Sequence, residues 1–232
     1  MKMAKILALD TSTDACSVAL EVDGERTEIF KVIPRKHTHE LLPMVEQILA
    51  SAQLSVRQLD AVAFGRGPGS FAGIRIATGV TQGLAFAADL PVVPVSSLAA
   101  LAQGYYRVSN DHNSSILSAL DARMDEVYWG GYQIQAGIAK LIIDEEVCPP
   151  GKLSIDLHST YVAVGSGFNY AEQMSEAVRN RLSSIEAQVY PHALDIVAIA
   201  SAEYALGNTV IAEHAQPVYL RNQVAWKKKD QQ

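Results

Sequence analysis

The chain has 232 residues, of which 49% are hydrophobic and 19% charged, and its formal net charge at pH 7 is −6. This length suits one large domain or two domains of roughly 100 residues, and the apolar content excludes a disordered chain. The negative charge argues against a protein that coats nucleic acid by itself, because such surfaces need clustered Lys and Arg.

No stretch reaches the roughly 18 to 20 apolar residues of a membrane-spanning helix, and no signal peptide is predicted at the N-terminus. Cys16 and Cys148 are far apart and form no Cys-x-x-Cys pair, which favours a reducing compartment. We therefore expect a cytoplasmic protein with no membrane partner. The basic run Lys227-Lys228-Lys229 is interpreted as a solvated tail rather than a nucleic-acid contact.

The first predicted element is a buried strand over residues 6–10 that ends in a carboxylate, Asp10. A second strand begins at Cys16, and the hairpin signal Asp23-Gly24 predicts a third strand over residues 26–33. Asp10 and the hydroxyl of Thr11 could hold Mg²⁺ and a nucleotide phosphate. The same groups could instead hydrogen-bond the backbone of the turn, and the sequence leaves both interpretations open.

An amphipathic helix is predicted from Thr38, a good N-cap residue, to about residue 52. The residues of its apolar face include Leu41, Leu42, Val45 and Ile48. His37 and His39 stand at its start, but they lack the i, i+4 spacing of a metal pair. They are therefore interpreted as capping or interface groups.

A glycine-rich loop connects a buried strand over residues 60–64 to a long helix over residues 71–88, with Ser70 as the predicted N-cap. Such a loop could cradle a phosphate or carboxylate with its backbone amides, which makes Gly67 and Gly69 candidate nucleotide-binding residues beside Asp10 and Thr11. The alternative is a tight turn that needs glycines for backbone shape alone. The spacing matches neither the Rossmann nor the Walker motif.

The long helix carries small residues at four-residue spacing, which places them in two stripes along its length. One stripe is Gly73, Ala77, Thr81 and Ala85, and the other is Gly79, Gly83 and Ala87. Glycine inside a helix costs up to about 1 kcal/mol relative to alanine. The close approach of another helix would offset that cost, either inside the chain or at a subunit contact.

A short strand over residues 90–95 and a helix over 98–106, capped by Ser96 or Ser97, complete a first half with the element order of a ribonuclease H-like fold. After a polar linker over 107–114, strands are predicted over 115–120, 126–133, 139–146 and 161–164, and helices over 171–182 and 193–206. The sequence thus predicts an α/β protein with the two-lobed actin, sugar-kinase and Hsp70-like fold. Its first lobe would span residues 1–107 and a degenerate second lobe residues 108–232, with the C-terminal segment packing back on the first.

Five stretches carry a resemblance to a known family. They are residues 6–13 (ILALDTST), 39–44 (HELLPM), 65–71 (GRGPGSF), 121–128 (DARMDEVY) and 217–221 (PVYLR). With them the chain resembles the TsaB (YeaZ) family, non-catalytic partners in bacterial tRNA threonylcarbamoyladenosine synthesis. One departure is Ala72, where the family usually carries threonine.

The resemblance implies a scaffold with no catalytic residue, cofactor or metal of its own. Members form homodimers and pair, through first-lobe helices, with TsaD, which transfers threonylcarbamoyl to the tRNA adenosine next to the anticodon. A third component, the ATPase TsaE, acts through the complex, and tRNA would be met only indirectly. The candidate association residues are Leu41, Leu42, Val45, Ile48, Gly73, Ala77 and Thr81.

Two alternative functions remain open at the level of the sequence. A small-molecule kinase of the same fold would place Asp10 on Mg²⁺ and use Gly165-Ser166-Gly167 as a second phosphate loop. A metallopeptidase, an older label for this branch, would need two or three metal ligands, and no His-x-x-x-His pair occurs in the sequence.

Overall fold

The computed structural model describes residues 4–221, which form two mixed sheets with helices packed around and between them. The first sheet has the order β3-β2-β1-β4-β5, with an antiparallel meander followed by parallel strands. Its elements are β1 (Ile6–Asp10), β2 (Ala15–Val22), β3 (Glu25–Val32), α1 (His37–Ser51), β4 (Ala61–Gly67), α2 (Phe71–Ala88), β5 (Val92–Ser96) and α3 (Ser97–Ser109). We call this unit the first lobe.

The second lobe repeats the same plan, because its sheet has the order β10-β9-β6-β7-β8. Its elements are β6 (Ser115–Arg123), β7 (Glu126–Gln135), β8 (Ile138–Cys148), β9 (Tyr161–Val164), α4 (Glu176–Arg179), β10 (Leu182–Glu186) and α5 (Ala193–Ala205). The strands β6, β7 and β8 form the meander, and β9 and β10 are added in parallel. The predicted two-lobed α/β fold is confirmed, whereas the division at residues 107 and 108 stays a prediction.

The helix predicted over residues 171–182 is wrong. A 3₁₀ segment (Ser166–Gln173) and the short α4 occupy most of this region, and β10 begins at Leu182. Leu182 pairs with Tyr161 of β9, whose outer edge would otherwise leave backbone groups unpaired. Tertiary pairing therefore overrides the local helical preference.

Two helix boundaries also differ from the prediction. α1 begins at His37 rather than after a Thr38 cap, and its N-cap, Lys36, makes no side-chain capping bond. The buried His37 ring instead lies 3.2 Å from the carbonyl oxygen of Ala15, which ties the helix start to β2. α3 continues to Ser109, inside the segment predicted as a linker.

The two lobes share an apolar core. Leu98 and Leu101 of α3 pack in one cluster with Ala8 of β1, Ile116 of β6 and Val162 of β9. α5 follows the second sheet in sequence but lies against β1, β2 and β4 of the first. The interface between the lobes is thus filled by two helices.

No helix within residues 4–221 combines the length and apolarity needed to cross a membrane. The Lys227–Lys229 run lies outside the described residues.

Candidate functional site

The glycine loop after β4 packs directly on the turn that follows β1. The backbone amide of Ser70 donates to the carbonyl oxygen of Ser12 at 2.7 Å, and the Thr11 hydroxyl donates to the carbonyl oxygen of Gly73 at 2.7 Å. A Cβ at Gly69 would lie 2.4 Å from the Ser12 carbonyl oxygen, and one at Gly73 would lie 1.9 Å from that of Thr11. These two glycines therefore serve close backbone packing.

The rest of the loop shapes the start of α2. Gly67 has a φ of 96°, a conformation that favours glycine, and its peptide bond to Pro68 is cis. Ser70 caps α2 as predicted, because its hydroxyl accepts from the Gly73 amide at 3.3 Å.

Asp10 is fully buried under the same loop. Its Oδ1 accepts from the amide and the hydroxyl of Ser12, at 3.0 and 2.9 Å. Its Oδ2 has no hydrogen-bond partner among the described residues, and a Cβ at Gly65 would lie only 1.9 Å from it. Burial, which disfavours the charged form, raises the pKa of this carboxyl to about 7. In this arrangement the Asp10 side chain has no solvent-exposed surface.

The second lobe uses its glycines in the same way. Gly165 has a φ of 102°, and a Cβ there would lie 2.3 Å from the carbonyl oxygen of Ala119 in β6. A Cβ at Gly167 would lie 2.6 Å from the Ala119 side chain. The hydroxyl of Ser166 accepts from the amide of Asp121, the counterpart of Asp10 at the end of the first strand. The predicted second phosphate loop thus holds the 3₁₀ segment against β6.

A partly buried carboxylate, Glu145 of β8, joins the two lobes. Its Oε1 accepts hydrogen bonds from the Ser96 hydroxyl of the first lobe and from the Tyr132 hydroxyl at 2.5 Å. Its Oε2 lies 4.0 Å from a guanidinium nitrogen of Arg66, near the end of β4. Burial and the neighbouring Glu145 hold the pKa of Tyr132 well above its usual range.

Sequence reasoning missed Glu145 because β8 does not pair regularly at that point. Trp129 pairs with Glu146, but Gly131 already pairs with Ile143, so Glu145 lies in a bulge that turns it inward. A Cβ at Gly131 would lie 2.7 Å from the Ile143 side chain. The adjacent glycines of β7 were the available signal, since paired glycines inside a strand often mark a bulge.

The candidate association residues lie mostly inside the first lobe, so their assignment to an exposed surface needs correction. Leu41, Val45 and Ile48 are 1–4% exposed and belong to the core between α1 and the first sheet. Gly73, Ala77 and Thr81 are buried as well. Leu42 is the exception, at 46% exposure.

The other stripe of α2 faces outward. A Cβ added at Gly79 or Gly83 would meet no atom within 4 Å, and Ala87 is exposed. Phe86, beside this stripe, is 72% exposed. The signal that identifies the outer stripe is Arg75, which lies four residues before Gly79 on the same line and is exposed.

The histidines at the start of α1 do not converge on a site. His37 is buried against β2, whereas His39 is exposed. Across residues 4–221 no three His, Cys, Asp or Glu side chains are grouped so that they could hold a metal ion.

Comparisons with known proteins agree with the resemblance in the motifs. The family model described as "TsaD: tRNA N6-adenosine threonylcarbamoyltransferase" matches residues 29–231. The chain is 42% identical over 237 residues to "tRNA threonylcarbamoyladenosine biosynthesis protein TsaB" of Haemophilus influenzae, with 98% of each chain covered. It is 44% identical over 228 residues to the Escherichia coli protein of the same name, with 97% of each covered.

A solved structure gives the same answer at the level of the fold. "YeaZ from Pseudomonas aeruginosa" superposes with a TM-score of 0.89 at 46% identity, covering 94% of this chain and 100% of that one. The chain therefore belongs to the family that the matching model describes and, within it, to the TsaB (YeaZ) proteins.

Proposed function

We propose that this chain is a non-catalytic scaffold in the synthesis of tRNA threonylcarbamoyladenosine, and that it docks onto a TsaD subunit to activate it. TsaD would then transfer threonylcarbamoyl to the adenosine next to the anticodon. The observation that carries the proposal is the contrast between the fully buried Asp10 and Thr11 and an open helix face. The names of the relatives, which are biosynthesis proteins for this modification, support it.

The burial of Asp10 and Thr11 argues against catalysis by the chain itself. Asp10 and Thr11, which would hold a nucleotide in a kinase of this fold, have their surfaces taken up by the glycine loop. The shared core and the Glu145 bridge oppose the lobe movement by which two-lobed kinases close on substrates. Neither the kinase nor the metallopeptidase alternative is favoured by an observation of its own.

The open stripe of α2 is the proposed docking surface. Helices pack with their axes about 8–10 Å apart, and the nearer distances need small residues at the contact. Gly79 and Gly83 provide such a contact without displacing any side chain of this chain. Leu42 of α1 and Phe86 of α2 would add exposed apolar area beside it. A homodimer would use the same face, so self-association and TsaD binding would exclude each other.

The remaining partners follow from this role. TsaE would join through the assembled complex, and tRNA modification would take place on TsaD. ATP, Mg²⁺ and the catalytic metal would belong to the partner subunits. The complex would act in the cytoplasm.

The test is reconstitution with purified components. TsaD, TsaE, tRNA and threonylcarbamoyl adenylate are combined with and without this chain, and modified adenosine is quantified by mass spectrometry. We expect no transfer by the chain alone, and transfer by TsaD that rises strongly when the chain is added. Transfer by the chain alone, abolished by a substitution in this chain, would contradict the scaffold role.

A further inference from the structure

A cavity of about 630 Å³ lies between the N-terminus of α2, the turn between β6 and β7, and residues 217–221. Three of the motif stretches described above meet here, namely the glycine loop, DARM and PVYLR. We call it the arginine cavity and define it by Phe71, Arg75, Arg123, Tyr219 and Arg221. Its size suits a small-molecule site, which typically measures about 300–1,000 Å³.

The arginine cavity is positive on a chain whose net charge is −6. Three arginines line it; Arg123 pairs with Asp121 and Arg221 with Glu126, which leaves the charge of Arg75 in excess. Within residues 4–221 no ion pair involves Arg75. Its charge is therefore available to an anion that enters the cavity.

Two aromatic rings stand beside this charge. The guanidinium carbon of Arg75 lies 3.6 Å above the Phe71 ring, and its Nε donates to the Tyr219 hydroxyl at 2.8 Å. The Phe71 and Tyr219 rings are 5.8 Å apart, yet they are 57% and 44% exposed. The arrangement holds both rings beside the charge and leaves each ring partly exposed to a planar group.

The opposite wall is a fixed turn that holds Arg123 outward. Arg123, Met124 and Asp125 all have positive φ angles, of 62°, 59° and 57°. Arg221 holds this turn, because its Nη2 donates to the carbonyl oxygens of Ala122 and Arg123 at 3.2 and 3.3 Å. The side chain of Arg123 is 82% exposed and pairs with Asp121 at 3.3 Å.

We propose that the arginine cavity binds a nucleoside phosphate, with its base stacked on Tyr219 and its phosphate on Arg75 and Arg123. Arginine pairs with phosphate through two parallel hydrogen bonds, and every base offers a flat face to an aromatic ring. The nucleoside phosphate is either one unpaired nucleotide of an RNA strand or a free nucleotide. The binding of a nucleoside phosphate is independent of the proposed function, whereas the preference for RNA rests on it. An RNA ligand would extend the proposed function, because this subunit would then contact RNA directly.

The test uses the full chain and a fluorescein-labelled eight-nucleotide oligouridylate, with fluorescence anisotropy as the readout. Tyr219→Ala is expected to weaken binding roughly ten- to a hundredfold, since it removes a stacking surface, whereas Tyr219→Phe keeps the wild-type affinity within a few-fold. Arg123→Ala should weaken binding and lower the slope of log affinity against log salt by about 1. Arg57→Ala removes an exposed arginine that does not line the cavity and should change nothing.

Competition identifies the source of the ligand. Displacement of the oligomer by AMP at equal nucleotide concentration supports the site and assigns it to free nucleotides, whereas an oligomer that AMP displaces poorly assigns it to RNA. The proposal is overturned if the full chain does not bind the oligomer, or if Tyr219→Ala binds it as well as wild type. If octaglutamate displaces the labelled oligomer as well as AMP does, the nucleoside-phosphate proposal is overturned and the cavity is assigned to an acidic protein segment.

Two controls distinguish the arginine cavity from the lysine tail and from the TsaD docking surface. Replacement of Lys227, Lys228 and Lys229 by alanine should leave most of the binding intact, and loss of all binding there would overturn the proposal in favour of the tail. TsaD binding by Tyr219→Ala is measured in parallel. We expect it to be retained, so that failure at the arginine cavity and failure of the scaffold role give different results.

Discussion

The two small-residue stripes of α2 have the same spacing but opposite environments. Gly73, Ala77, Thr81 and Ala85 face the first lobe and are buried. Gly79, Gly83 and Ala87 face away from it, and the two glycines have no neighbour within 4 Å of an added Cβ. One helix therefore uses the same residue types for two purposes.

The difference between the two stripes shows which contacts compensate for the low helix propensity of glycine. Gly73 is required in the isolated chain, because the Thr11 carbonyl oxygen occupies the place of a side chain. In the isolated chain no contact compensates for glycine at positions 79 and 83, although each glycine destabilises the helix by up to about 1 kcal/mol relative to alanine. Their presence is explained if the benefit comes from a partner helix.

Replacing one glycine of each stripe with alanine is the strongest test of the assignment of an inner and an outer stripe. Gly73→Ala should lower the free energy of unfolding by more than about 3 kcal/mol, since the new Cβ overlaps backbone atoms that must move. Gly79→Ala should raise it by about 0.5–1 kcal/mol, because it improves helix propensity at an open position. Urea unfolding of both variants measures the difference, and similar effects of the two changes would contradict the assignment of inner and outer stripes.

A second prediction concerns the pH dependence of stability that arises from Asp10, which is buried beneath the loop before α2. Because the folded pKa of Asp10, about 7, lies above the ordinary value of 3.8, its stabilising contribution is complete below pH 3.8. It is lost as pH rises through 7, since the unfolded chain releases this proton first. Between pH 5 and pH 7 the loss should be roughly 2–3 kcal/mol.

Asp10→Asn provides the measurement, because asparagine has nearly the same shape and does not titrate. Urea unfolding of both proteins at pH 5, 6, 7 and 8 should show wild type losing stability relative to the variant up to pH 7, with only about 0.4 kcal/mol of further loss above it. Parallel pH profiles for the two proteins would show that Asp10 is not protonated in the folded chain.

Much of the fold could be predicted from the sequence because local signals agree with the final packing. The Asp23-Gly24 turn, the Ser70 cap and β9 lie where the sequence predicts them. β10 could not be predicted, since four of its five residues are exposed and it shows no apolar alternation. That strand exists because β9 has an edge to pair, which is not a local property.

The candidate site was less predictable for a related reason. Spacing groups residues on one face of a helix, but it does not say which face turns inward. By four-residue spacing alone Ala77 and Gly83 are equivalent. Only the charged Arg75, in line with Gly79 and Gly83, indicates that their stripe faces outward. The arginine cavity is assembled from Arg75, Arg123 and Tyr219, which lie far apart in the sequence and meet only in the folded chain.

The most direct test of the central claim compares leucine at Gly83 with leucine at Ala77. Gly83→Leu should fold and melt no earlier than wild type, since leucine favours the helix, yet lose roughly ten- to a hundredfold in affinity for TsaD and for itself, because leucine holds partner helices apart. Ala77→Leu should melt early while any folded protein still associates, since Ala77 is fully buried. Ala177→Leu, at an exposed alanine of α4, controls for an added surface leucine. Sedimentation and thermal melting at matched concentration give both readouts, and a Gly83→Leu variant that dimerises and binds TsaD with wild-type affinity would contradict the outer stripe as the docking surface.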